Sequence, residues 1–167
     1  IPVQHRIERA LPQPRHALLL GEGNGRFLIE LLRAHPDARF TCVDSSARML
    51  QCTQERLKRE GLRAAAGRFI HADLLKWIPP ADEFDLIVSN PPYVRDAAVA
   101  AFPPEYKAEP RLAHAGGKDG LDFVRKILGE APRQLTPDGA LVVEVGMERD
   151  LLEAEFPNLP FLWLDTA

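Results

Sequence analysis

Short apolar runs separated by longer stretches of helical periodicity constrain this chain more than any other feature it has. Ala17-Leu18-Leu19-Leu20, Phe40 to Val43, Gly67 to Ile70, Phe84-Asp85-Leu86-Ile87-Val88 and Ala140-Leu141-Val142-Val143-Glu144-Val145 each have the length and apolar content of a buried strand. Phe27, Leu28, Leu31 and Leu32 share one helical face between Phe27 and Ala34. Ser45 or Ser46 can cap a second helix running to about Glu60, which Gly61 ends, and a third helix is expected within Lys118 to Leu135. Strand and helix alternating in this way predict an α/β fold, doubly wound around a mostly parallel sheet. Residues 1–16, with Pro2, Pro12 and Pro14, read as a linker or a trimmed N-terminal edge, which leaves 17–167 as one domain. Phe161-Leu162-Trp163-Leu164 reads as a strand whose partner is missing, so the sheet is expected to lack its last strand and the chain to be a fragment.

Composition narrows the function classes. With 167 residues, 46% of them hydrophobic and 27% charged, the chain can bury one sizeable core. No apolar stretch approaches a membrane span, and the start Ile1-Pro2-Val3-Gln4-His5-Arg6 lacks the apolar centre of a signal peptide, so a cytoplasmic protein without membrane contact is expected. A net charge of -3 gives no broad basic surface for nucleic acid. The two cysteines, Cys42 and Cys52, have neither metal nor redox spacing, and no cluster of His, Cys, Asp or Glu has ligand spacing, so no metal is expected.

Gly21-Glu22-Gly23-Asn24-Gly25 follows the first apolar run and opens a helix, the place where an open parallel sheet binds ligands at the carboxyl ends of its strands. A dinucleotide fingerprint would place a third glycine where Arg26 stands, so the turn suits a nucleoside cofactor without pyrophosphate better than a nicotinamide dinucleotide. A turn used only for tight packing is the alternative. Asp44, ending the second run, can accept hydrogen bonds from both ribose hydroxyls or cap the next helix, a task open also to Ser45 and Ser46. Asp73 in His71-Ala72-Asp73 is placed to accept from an adenine amino group or to be a solvated loop acid, and His71 reads as a strand-end residue.

Ser89-Asn90-Pro91-Pro92-Tyr93-Val94, directly after the fourth run, carries the chemistry. An amide or exocyclic amine nitrogen is a poor nucleophile because its lone pair is delocalised, and methyl transfer requires it to become tetrahedral. The Asn90 side-chain oxygen and the Pro91 carbonyl can accept its two hydrogens where positive charge develops. Pro92 restricts residue 91 to extended geometry, and Tyr93 offers a flat face to a planar amide or base. A proline-stiffened turn is the structural alternative. The segment from about Ser89 to Gly117 is long and rich in proline, as functional loops often are.

On these residues the chain resembles the class I S-adenosylmethionine methyltransferases with their Rossmann-like sheet. Its second half is similar to the protein-glutamine methyltransferases of bacterial translation. The likeness runs through Phe84 to Val94, Pro103-Pro104-Glu105-Tyr106, Glu109-Pro110, Gly116-Gly117-Lys118-Asp119-Gly120-Leu121, Glu144-Val145-Gly146 and Phe156-Pro157-Asn158-Leu159-Pro160-Phe161-Leu162-Trp163-Leu164. The Pro-Pro-Glu-Tyr segment and the ending look more like the members acting on ribosomal protein L three than those acting on release factors. Leu19 stands where the family carries an acidic residue and Arg56 where it carries an asparagine, and Glu22 is the candidate replacement for the missing carboxylate. The resemblance implies S-adenosylmethionine held by Gly21, Glu22, Gly23, Gly25, Asp44, Asp73 and Asn90. It further implies catalysis by Asn90, Pro91 and Tyr93, and a glutamine of a translation protein bound by Asn90, Pro91, Pro92 and Tyr93. Three other readings share some of these features: an adenine-N6 methyltransferase of DNA or RNA, a catalytically weak cofactor-binding fragment, and a hydride-transferring Rossmann enzyme.

Overall fold

A computed structural model describes residues 14–21, 23–62, 67–73, 84–100 and 116–164. Strands β1 (His16–Leu20), β2 (Arg39–Asp44), β3 (Gly67–His71), β4 (Phe84–Ser89) and β5 (Leu135–Val143) form one sheet in the order β3-β2-β1-β4-β5. β1 lies parallel to both β2 and β4, with Leu18 opposite Thr41 on one side and Ile87 on the other, and β2 lies parallel to β3. The helices are α1 (Arg26–Ala34), α2 (Ala47–Arg59), α3 (Asp96–Ala100), α4 (Asp122–Glu130) and α5 (Arg149–Glu155). The doubly wound, mostly parallel α/β class is the one the apolar alternation predicts. Two compact units divide the chain. One holds the described residues up to Ser89 with Ala131–Val142 and Leu164, and the other holds Asn90–Glu130 and Val143–Trp163.

In the first unit, Ala17, Leu19, Phe40, Cys42 and Leu86 alternate along their strands and so share one sheet face, where they form a core with Leu28, Ile29, Leu31 and Leu32 of α1 and Leu50 and Leu57 of α2. The opposite face is also closed to solvent at Leu18, Leu20, Thr41, Val43 and Ile87. Burial on both faces explains why these strands read as continuous apolar runs instead of alternating ones. Ser46, not Ser45, caps α2, its hydroxyl accepting from the Met49 amide at 3.3 Å.

Three expectations need correction, while the helix expected within Lys118 to Leu135 is present as α4, Asp122–Glu130. Gly120, at φ 86°, interrupts helical geometry before Asp122, and Pro132 bars Ala131 from continuing the α-helix, so a single 3-10 turn, Ala131–Arg133, follows. The fifth strand starts at Leu135 and stops at Val143, leaving Glu144 and Val145 outside it. Its edge position accommodates Pro137, and Gly139 comes close to the Phe84 carbonyl, 2.8 Å from where a side chain would begin. Within the long segment expected as loop, residues 96–100 form α3, while 101–115 lie outside the described residues. Residues 161–164 are not a strand. Phe161 and Trp163 stack at 5.5 Å and pack with Leu121, Val124 and Leu152 in the core of the second unit. The Trp163 indole donates to Glu153 Oε1 at 2.6 Å, with the Arg149 guanidinium 4.8 Å above the ring. These contacts satisfy the segment without a sheet partner.

Candidate active site

The strand order reverses at β1, which has β2 on one side and β4 on the other, and at such a switch point the carboxyl ends of the strands open a ligand crevice. The Ser89 hydroxyl, 3% exposed at the end of β4, donates to the Leu20 carbonyl at the end of β1 at 3.1 Å and ties the two strand ends together.

The turn after β1 has Gly21, Gly23 and Gly25 all at positive φ, and Gly25 serves as the left-handed N-cap of α1. Thr53 holds this turn from α2. Its hydroxyl donates to the Gly23 carbonyl at 2.9 Å, and its backbone and methyl lie 3.1 and 3.0 Å from where a Gly25 side chain would begin. Position 25 is therefore restricted to glycine twice over, by its backbone angle and by its neighbour. Thr53 was not among the residues expected at the site. It lies on the buried stripe of α2 between Leu50 and Leu57, and a hydroxyl residue on an otherwise apolar stripe is the one signal it offers.

Asp44 is 8% exposed at the end of β2. Its Oδ1 accepts from the Ser46 amide at 2.7 Å, and its Oδ2 accepts from the Gly23 amide at 3.3 Å. Because Ser46 itself caps α2, Asp44 shapes the entry to that helix and at the same time faces the glycine turn. A carboxylate has about four lone-pair sites, so these two bonds leave acceptor capacity for ribose hydroxyls. His71 ends β3 with Nε2 3.0 Å from the Ser45 carbonyl, a strand-end role, and Asp73 follows on the surface two residues later. Glu22 lies outside the described residues. The glycine turn, Asp44 and the end of β1 thus form one constellation within the first unit, and its free acceptor capacity fits a nucleoside with free ribose hydroxyls.

Asn90, Pro91, Pro92 and Tyr93 belong to the second unit, beginning one residue after β4. Asn90 is exposed, Pro91 buried, and Pro92 and Tyr93 half-buried. The 116–120 turn grips this segment. The Gly116 amide donates to the Val94 carbonyl at 2.8 Å, and the Asp96 amide donates to the Gly117 carbonyl at 2.9 Å. A side chain on Gly116 would begin 2.7 Å from the Pro92 carbonyl oxygen, and one on Gly120 would run into the Tyr93 carbonyl. Asp119, in the same turn, accepts from the Leu121 amide and takes a bidentate bond from Arg125, with its two oxygens 2.9 and 2.7 Å from Nη1 and Nη2. The Arg125 guanidinium beside it, with the Leu121 amide, holds the Asp119 carboxyl down at about 2. Arg125 also binds Glu155 at 2.8 Å, which lowers that carboxyl too, and Arg125 itself is raised by both partners.

Residues 17–106 match the family model described as "Methyltransferase domain". The chain is 43% identical over 152 residues to a protein of Neisseria gonorrhoeae named "Ribosomal protein uL3 glutamine methyltransferase", covering 91% of this chain and 50% of that protein. A Bradyrhizobium diazoefficiens protein of the same name is 44% identical over 145 residues, covering 86% and 44%. The chain therefore spans about half the length of the curated relatives it matches. Among solved structures, a methyltransferase from Pyrococcus furiosus is similar in fold, with a TM-score of 0.62 at 21% identity, over 89% of this chain and 64% of that one.

Proposed function

Since this chain belongs to the family of methyltransferase domains, we propose that it transfers a methyl group from S-adenosylmethionine to the side-chain amide nitrogen of a glutamine in ribosomal protein uL3. The observation that carries this reading is the run Asn90-Pro91-Pro92-Tyr93 directly after β4, the strand whose end is bonded to the end of β1 beside the glycine turn. Relatives with 43% identity bear the corresponding name, which supports the choice of substrate. Residues 17–167 act as one methyltransferase domain, in the cytoplasm, on a protein partner.

S-adenosylmethionine supplies a methyl carbon made electrophilic by its sulfonium. Asp44 accepts hydrogen bonds from the ribose hydroxyls, and the backbone of Gly21, Gly23 and Gly25 lets the cofactor approach the end of β1. Asp73 accepts from the adenine amino group, and Glu22 is the candidate carboxylate for the cofactor's amino group. The Asn90 side-chain oxygen and the Pro91 carbonyl accept the two hydrogens of the glutamine amide. They favour its pyramidal, positively charged form over the planar one, so they act more strongly in the transition state than in the ground state. When bound, S-adenosylmethionine would supply the methyl carbon to the nitrogen, with the electron pair of the broken carbon–sulfur bond left on sulfur. The methylated nitrogen then loses one proton to water as the product leaves the site. Tyr93 packs on the amide plane and excludes water, while Pro92 restricts the backbone at 91 so that its carbonyl keeps its aim.

The test is label transfer from S-adenosylmethionine in parallel to ribosomal protein uL3, to a peptide release factor and to adenine-containing DNA, with Asn90→Ala as control. Label on uL3 that disappears in the control is the expected result. Label on the release factor would move the substrate within the same chemistry, and label on DNA alone would overturn the glutamine reading.

A further inference from the structure

Tyr93 is held from a second side by residues to which the proposed reaction assigns no task. Gly146, three residues past the end of β5, places the position of a would-be side chain 3.0 Å from Tyr93 Cδ2 and 3.5 Å from Cγ. Among the described residues the three atoms nearest this position all belong to Tyr93, and the Gly146 backbone angle lies outside the left-handed region, so alanine there meets the tyrosine side chain first. Two residues from Tyr93 in sequence, the Arg95 guanidinium grips Glu148 in a bidentate bond, Nε to Oε1 at 2.9 Å and Nη2 to Oε2 at 2.7 Å. Arg95 is 55% exposed and Glu148 14%. A pair this open to water adds little to global stability, yet its fork geometry fixes the spacing between the 93–95 segment and the 146–148 segment. The backbone of the same segment is also held by the glycines of the 116–120 turn, where a side chain on Gly120 would begin 3.8 Å from Glu148 Cγ, so both contacts fix residues 92–95.

We propose that Gly146 and the pair of Arg95 and Glu148 are positioning residues that set the plane of the Tyr93 ring, and through it the enzyme's selectivity for a planar amide substrate. The selectivity claim rests on the glutamine reading above, whereas the ring position does not. Gly146 acts by lacking a side chain, which lets the ring come close to the backbone at this position. Arg95 and Glu148 act by preventing the segment after Tyr93 from sliding. Reacting groups misplaced by about an ångström typically lose 100-fold in rate, so a small tilt of the ring has a large kinetic effect.

Two readouts separate the claims. The chain has two tyrosines, so ring-labelled tyrosine gives two sets of NMR signals, and Tyr106→Phe assigns that of Tyr93. In the substrate-free protein, Gly146→Ala and Arg95→Met are expected to move the Tyr93 signals while leaving the melting temperature unchanged. The exchange of charges, Arg95→Glu with Glu148→Arg, is expected to return them toward their original positions. In the uL3 methylation assay the same two variants should raise KM for the protein substrate and lower kcat/KM by roughly 10- to 100-fold, with S-adenosylmethionine binding unaltered. Tyr93 signals that stay in place in either variant overturn the proposal, as does an activity loss that follows a loss of thermal stability or that the charge exchange does not recover. If the wild-type protein leaves uL3 unmodified while the Tyr93 signals move and recover as described, the positioning stands and the glutamine reading fails.

Discussion

Asp44 joins the fold to the proposed cofactor site through one side chain. Its Oδ1 turns the chain into α2 through the Ser46 amide while its Oδ2 faces the glycine turn. Asp44→Asn keeps an oxygen for the Ser46 amide but loses the charge, and charge-assisted hydrogen bonds are worth about 1.5–3 kcal/mol. The variant is expected to fold normally and to bind S-adenosylmethionine at least ~10-fold more weakly by calorimetry. Asn90→Ala removes the acceptor proposed to act in the transition state and should lower kcat by roughly 100- to 1,000-fold, as loss of an oxyanion-hole donor does, with little change in cofactor affinity. The glycine turn, Asp44 and the Asn-Pro-Pro-Tyr run are visible in the sequence because each is a local pattern tied to a strand end. Thr53, Gly146 and the pair of Arg95 and Glu148 are not, because their roles come from contacts 30 or more residues away.

At the scale of elements, the positions of β1, β2 and β4 follow from their apolar runs, since strands buried on both faces leave little choice of residue. α5 offers no such signal. It is seven residues long with a single buried side chain, Leu152, and no periodic stripe can be read from one position. The run at 161–164 misleads in the opposite sense, because aromatic side chains stacked in a helical core carry the same composition as a strand. α1 rests on both its apolar stripe and its cap. Leu28→Ala, at a position fully shielded from solvent, should cost about 2–5 kcal/mol in chemical denaturation. Thr53→Val keeps the shape and loses the bond to the Gly23 carbonyl. About 1 kcal/mol of stability should be lost, and cofactor affinity should fall as the glycine turn loosens.

For the molecule as a whole, the ion-pair cluster around Arg125 makes stability depend on pH. The Asp119 carboxyl, ordinarily at 3.8, titrates at about 2 in the folded chain because Arg125 and the Leu121 amide favour its charged form. A lowered folded value means that the contribution is present above the unfolded value and disappears as pH falls through the folded one. Thermal stability should therefore decline between about pH 4 and pH 2. Asp119→Asn is expected to be less stable than wild type at neutral pH and to show a flatter decline across that window. No helix among the described residues is long and apolar enough to cross a membrane. The central claim concerns which atom receives the methyl group, and tandem mass spectrometry of ribosomal protein uL3 after incubation with this chain and S-adenosylmethionine tests it most directly. The account predicts a mass gain of one methylene on the side-chain amide of a glutamine, absent with Asn90→Ala. A methyl group on any other residue type, or on glutamine with undiminished yield in Asn90→Ala, would contradict it.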